Sequence, residues 1–233
     1  MSSAPTTMTH RAATLRAAIC LVATLLASLA VGVLASDSIS PDGTVTCDDA
    51  MHLCGRALLI YSVVFYIARG LAEPLDEFLW DASWACNATL VLAAVGLLTC
   101  RPLLAHAAAL TVAPIQFIWY VDVSVALATG GRQWGVGAAK MLVRPGTSRA
   151  KRVMSVHHLL FLPLVLFATR RQPFPPPSQA FAVGALLVLT MLLTARLLSP
   201  RSVRLRETGH TYHLNLQQAH HGPRPIDLSA DEA

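Results

Sequence analysis

The sequence predicts an all-α fold, a polytopic transmembrane helical bundle with six predicted spans. Three observations support this class: hydrophobic residues make up 54% of the 233-residue chain, charged residues only 13%, and the apolar residues fall in long runs. Soluble domains carry about 25% charged residues, so this chain has too few charges to cover a soluble globule. Disorder is excluded as well, because disordered chains combine low hydrophobicity with high charge.

Six apolar stretches are predicted to cross the bilayer, which requires about 20 helical residues. Leu and Ala dominate these stretches, which favours helices over strands. A cytoplasmic N-terminus (1–16) and a polar cytoplasmic tail (199–233) flank the transmembrane domain (17–198). In chain order, the predicted spans cover residues 17–35, 53–71, 82–99, 103–128, 153–168 and 179–198.

The first stretch has two interpretations. Arg11 and Arg16 precede it, and small residues near its end resemble a cleavage site, as in a signal peptide. Its apolar run is longer than the usual signal-peptide core of about 7–15 residues. We therefore favour a retained anchor helix, and cleavage would leave five spans.

Positive charges predict the orientation, because short cytoplasmic loops are enriched in Lys and Arg. The segment 130–152 holds six Lys and Arg residues and no acid. With this segment inside, both termini face the cytoplasm. The excess of positive over negative charge in the chain then comes from its cytoplasmic loops. We therefore expect the lipid bilayer, and not nucleic acid, as its partner.

The segment 36–56 is predicted to face an exported, oxidising compartment. It contains Cys47 and Cys54, and a disulfide between them is predicted, with two free thiols as the alternative. Three further cysteines lie in or beside predicted spans and are interpreted as small apolar residues. They are Cys20, Cys86 and Cys100.

Asp122 is the strongest candidate for a functional residue. A carboxylate within a span costs about 2.5–3.5 kcal/mol or more, and it usually faces the bundle interior with a partner. Arg69, His157 and His158 fall at a similar predicted depth. We predict a buried polar site in which Asp122 pairs with a histidine or with Arg69. A structural ion pair and a proton or cation relay are both compatible with this pattern.

The tail carries a second set of candidates. On a helix, His210, His213, Gln217 and His220 would share one face, and His221 follows. Imidazoles on one face suit a transition metal. The run from Gln217 to His221 resembles the last histidine box of membrane fatty-acid desaturases and hydroxylases. That resemblance implies iron or zinc in a lipid-modifying enzyme, whereas we otherwise expect no cofactor.

A broader resemblance covers residues 84–167 and part of the tail. The Trp-Tyr-Val-Asp element ending at Asp122, the Ser-Val-His-His run ending at His158 and a late Leu-Asn element at Asn215 resemble a family of uncharacterised multi-pass membrane proteins. The resemblance implies a membrane fold and a shared polar site at these residues. It establishes no activity, so transport, membrane assembly and metal-dependent catalysis all stay open.

Overall fold

The computed structural model shows a bundle of α-helices and confirms the predicted all-α class. It describes residues 10–39, 47–72, 75–82, 85–143, 147–198, 203–204 and 211–212. Two two-residue strands in the tail pair antiparallel. The helices are α1 (His10–Ile39), α2 (Asp49–Ala72), α3 (Leu75–Ala82), α4 (Ala85–Leu98), α5 (Pro102–Ala128), α6 (Arg149–Met154), α7 (His157–Thr169) and α8 (Pro177–Leu198); a 3₁₀ helix covers Ala138–Leu142, and β1 and β2 are Val203–Arg204 and Thr211–Tyr212.

Within the part of the chain that the structure describes, five segments are long and apolar enough to cross a membrane: Thr14–Ile39, Asp49–Ala72, Pro102–Ala128, Arg149–Thr169 and Pro177–Leu198. The prediction of a span over residues 82–99 is wrong in its extent. Ala82 ends α3, and the separate α4 has only 14 residues. At 1.5 Å per residue α4 is about 21 Å long, which is shorter than a hydrocarbon core of about 30 Å.

The short helix α4 lies at the centre of the bundle, in contact with α1, α2, α5 and α7. Nine of its 14 residues are buried. Gly96 permits its close approach to α5, because a Cβ at this position would lie 2.8 Å from the backbone nitrogen of Ala105. Central burial explains why this segment is apolar on all sides.

The first helix packs into the same bundle. The hydroxyls of Thr24 on α1 and Thr194 on α8 lie 3.0 Å apart. A Cβ at Gly32 would meet side chains of Leu104 and Leu187, at 2.7 and 3.3 Å. Retention of α1 as an anchor helix stays a prediction, with cleavage as a signal peptide as the alternative, and sequencing of the mature N-terminus distinguishes them.

The outer faces of the helices are apolar. Large exposed side chains include Leu26 on α1, Ile60 on α2, Phe117 on α5 and Phe181 on α8, each more than 60% exposed. Such a surface is unfavourable in water and suits contact with lipid chains. The composition and these faces together indicate an integral membrane protein.

One end of the bundle, which we call the disulfide end, is cross-linked by a disulfide bond. Cys47 precedes α2 and forms a disulfide with Cys100, which lies between α4 and α5. At the same end Arg101 donates two hydrogen bonds to Asp37, at 2.8 and 3.1 Å. The carboxylate raises the pKa of the Arg101 guanidinium, but the pair is exposed and solvent screens its attraction.

The predicted disulfide between Cys47 and Cys54 is therefore wrong. Asp48 accepts a hydrogen bond from the backbone of Met51 at 2.9 Å, at the start of α2. Cys54 is already inside that helix and is buried as a free thiol. Cys100 is not a packed apolar residue as predicted. It has a left-handed backbone (φ 59°) at the turn that follows α4.

Candidate functional site

The opposite end of the bundle, which we call the histidine end, contains a cluster of buried polar side chains. His157 and His158 open α7 and are only 6% and 8% exposed. A turn separates them from α6, whose start is capped by the Ser148 hydroxyl accepting from the amide of Lys151 at 3.1 Å. This break places two consecutive imidazoles inside the bundle, between α2, α4 and α5.

Hydrogen bonding fixes the tautomer of His157. Its Nδ1 lies 2.7 Å from the carbonyl oxygen of Met154. A carbonyl only accepts, so Nδ1 must carry the proton. In the neutral ring, Nε2 then holds the lone pair. The Tyr61 hydroxyl from α2 donates to the same carbonyl and holds this edge of the site.

His158 is held by stacking. Its ring lies nearly parallel to the Trp119 indole of α5, with centroids 4.3 Å apart and an angle of 16° between the planes. The two histidine rings are themselves 4.1 Å apart. Tyr120 donates a hydrogen bond from its hydroxyl to the Leu159 carbonyl at 3.3 Å, which joins α5 to α7 beside the stack. The imidazole is thus oriented by aromatic contact.

Cys86 completes a group of three potential metal ligands. It lies in the first turn of α4 and is not part of a disulfide. Its Sγ and one ring nitrogen from each of His157 and His158 lie within 4.8 Å of one another. The sequence interpretation of Cys86 as a small apolar residue did not anticipate that its sulfur lies close to two imidazoles.

Arg69 lies near the histidine pair, with an aromatic ring between them. Its side chain is 3% exposed, and its guanidinium carbon lies 5.5 Å from the Phe65 ring centroid. Phe65 in turn meets His157 edge-on, with centroids 6.0 Å apart. A buried guanidinium therefore lies one aromatic ring away from the histidine pair.

Asp122 is fully buried, but its partners are not the predicted ones. Its Oδ1 accepts from the amides of Val136 and Gly137, at 2.5 and 3.0 Å. Its Oδ2 accepts from the amide of Ala139 at 2.8 Å. The predicted pairing with a histidine or with Arg69 is wrong, because backbone amides occupy both oxygens. Asp122 instead fixes the loop that follows α5.

Two glycines allow this loop to approach α5. A Cβ at Gly135 would lie 2.8 Å from Val121 and 3.1 Å from the Asp122 carboxylate. Gly137 has a φ of +92°, a conformation that side chains disfavour. The Gly-rich segment 130–137 is thus shaped to wrap around a carboxylate.

Gln116 extends the polar region towards the middle of α5. It precedes Trp119 by about one helical turn, on the same buried face, and is 0% exposed. Among the residues that the structure describes, neither atom of its side-chain amide has a hydrogen-bond partner. Buried amides are normally satisfied, so this position suits a bound polar species.

The structure thus buries all four residues of the predicted polar site but separates their contacts. His157 and His158 face each other, Arg69 contacts Phe65, and Asp122 binds a loop about one turn beyond Trp119. Sequence reasoning treated Cys86 as a small apolar residue and Trp119 as part of a motif, and it did not predict that either lies beside the histidines. The predicted tail ligands His210, His213, Gln217, His220 and His221 lie outside the described residues.

Comparison of the chain with models of protein families, with curated proteins and with solved structures finds no match.

Proposed function

We propose that this membrane protein is transporter-like and binds a small polar solute or ion between α2, α4, α5 and α7. The observation that carries the proposal is the burial of His157 and His158 beside Cys86, inside a bundle of predominantly apolar helices. Ionisable and polar groups are expensive within a membrane, and they commonly mark ion or substrate pathways.

The depth of the cluster supports this function. Trp119 precedes the end of α5 at Ala128 by nine residues, a distance of about 13 Å along the helix. Gln116 lies about one helical turn further from this end of α5 than Trp119 and adds a polar side chain at greater depth. A solute at the histidines would therefore lie inside the bundle, with a further polar group ahead of it.

The proposed orientation places the histidine end in the cytoplasm. The basic segment 130–152 connects α5 to α7 at this end, in keeping with the enrichment of cytoplasmic loops in Lys and Arg. The Cys47–Cys100 disulfide then lies on the exported side, where disulfides persist. The five long segments and the short α4 together give six membrane-embedded helices. With this even number, both termini are cytoplasmic.

A deletion strain tests the proposed function. Cells lacking the protein are complemented with the wild type, with His158→Ala, or with His106→Ala as a matched control. His106 is also a buried histidine, 5% exposed, on the same helix as Trp119 but at the disulfide end. We expect the deletion to change the distribution of a solute between cells and medium, and we expect only His158→Ala to fail in restoring it at equal membrane levels.

Two outcomes would contradict the proposal. Full restoration by His158→Ala would remove the histidine site from the function. Altered lipid composition with unchanged solutes would favour the alternative, a lipid-modifying enzyme that uses iron or zinc on the tail histidines. That alternative rests on the sequence pattern of residues 210–221.

A further inference from the structure

We propose that Cys86, His157 and His158 bind a thiophilic transition-metal ion, Zn²⁺ or Cu⁺. This inference rests on the proposed function, because it names the class of ligand for the same site. The three side chains come from two helices, α4 and α7, and each offers one ligand atom to a common space.

The spacing of the ligand atoms is close to that of a metal site. Zn–S and Zn–N bonds of about 2.3 and 2.0–2.1 Å place tetrahedral ligand atoms about 3.3–3.6 Å apart. The three atoms in this chain lie within 4.8 Å of one another. Small side-chain rotations, which close the widest pair by little more than about 1 Å, would complete the coordination.

His157 is already oriented as a metal ligand. Metal-bound histidines typically donate their other ring N–H to a carbonyl or carboxylate, which fixes the tautomer. The contact from Nδ1 to the Met154 carbonyl, at 2.7 Å, supplies this arrangement. Nε2, with its lone pair, is then the coordinating atom. Stacking on Trp119 similarly restricts the ring of His158.

The donor set selects the kind of metal. Thiolate and imidazole suit zinc and copper, whereas magnesium and calcium prefer oxygen ligands. Binding releases the Cys86 thiol proton to solvent, since the thiolate is the ligand. Three protein ligands leave a position for water or another exchangeable ligand, as in open zinc sites. An open position allows an ion to be passed on as well as held.

A second group in the described residues is a weaker candidate. Cys47, His52 and Cys100 also offer atoms within 4.8 Å of one another. Both sulfurs, however, are joined in the disulfide, so neither can act as a thiolate. This contrast points to the histidine end as the metal site.

Cobalt binding to the purified full-length protein tests the proposal, because Co²⁺ replaces zinc and gives a thiolate charge-transfer absorption. The chelator-treated protein in detergent is titrated with Co²⁺, then with Zn²⁺, and under anaerobic conditions with Cu⁺. We expect one Co²⁺ per chain with a thiolate band, displaced by Zn²⁺ or Cu⁺. Cys86→Ser should abolish the band, and His158→Gln should weaken binding at least tenfold.

Matched variants separate this site from the remaining thiols and histidines of the chain. Cys54→Ser removes another buried thiol, and the double variant His220→Ala/His221→Ala removes the tail pair; both should retain binding and the band. Stoichiometric cobalt without a thiolate band in the wild type would overturn the inference without relying on any variant. Loss of binding in the tail variant would also overturn it.

The two proposals fail separately. Absence of metal binding, together with a solute change that depends on His158 in the deletion strain, would refute the metal and leave transport of another solute. Metal binding without any solute change would refute transport and leave a resident metal site.

Discussion

Asp122→Asn provides a direct test of the loop contact at the histidine end. The carboxylate accepts three backbone hydrogen bonds, from Val136, Gly137 and Ala139. An asparagine of the same shape directs an N–H₂ group at some of these amides, which are themselves donors. The substitution should therefore release the loop while leaving α5 in place.

The expected magnitude follows from the number and type of these bonds. A hydrogen bond to a charged group contributes about 1.5–3 kcal/mol. The loop can open locally and bind water, so the three contributions do not add in full to global stability. We expect the free energy of loop opening to fall by about 1.5–3 kcal/mol, which corresponds to roughly 10–150-fold faster amide exchange.

Hydrogen–deuterium exchange of the protein in detergent or nanodiscs measures this change. Peptides that contain residues 136–139 should exchange faster in Asp122→Asn, while peptides from α4 and α8 should be unchanged. Asp37→Asn is the control, because Asp37 pairs with Arg101 at the opposite end. Equal exchange of residues 136–139 in the wild type and Asp122→Asn would refute the assigned role of the carboxylate.

Two further predictions concern the disulfide bond and the packing of α4 against α5. Cys47→Ser and Cys100→Ser should each abolish the mobility shift between reduced and oxidised protein, and Cys54→Ser should not; a shift that requires Cys54 would contradict the pairing. The bond closes a loop of 53 residues, so its loss should lower the thermal midpoint by removing up to about 4 kcal/mol. Gly96→Ala should destabilise by about 1–3 kcal/mol, because its Cβ would lie 2.8 Å from the backbone of Ala105; an unchanged thermal midpoint would contradict this contact.

The sequence predicted the burial of Asp122 but not its partners. A carboxylate in an apolar run must face the interior, which hydropathy alone indicates. Its partners are backbone amides 14 to 17 residues later, and backbone amides have no side-chain identity that a sequence pattern can show. The glycines at 135 and 137 were the available signal, since they mark a close approach and a left-handed conformation.

The predictions of the disulfide and of the span that contains α4 were wrong for related reasons. Sequence proximity favoured Cys54 for Cys47, whereas the true partner Cys100 depends on the turn between two packed helices. The hydropathy pattern also placed Ala82 in one predicted span with α4, because the apolar run continues across the boundary between α3 and α4. Cys86 was missed because its histidine neighbours lie about 70 residues away in the sequence.

The sidedness of the two ends of the bundle tests the membrane-spanning arrangement directly. Single cysteines at Gln133, after α5, and at Ser178, at the start of α8, are placed in a background that retains the Cys47–Cys100 disulfide and replaces the other cysteines with alanine. Intact cells are treated with a membrane-impermeant maleimide, before and after permeabilisation. We predict labelling of Ser178→Cys in intact cells and of Gln133→Cys only after permeabilisation, and labelling of both from the same side would contradict the membrane-spanning arrangement.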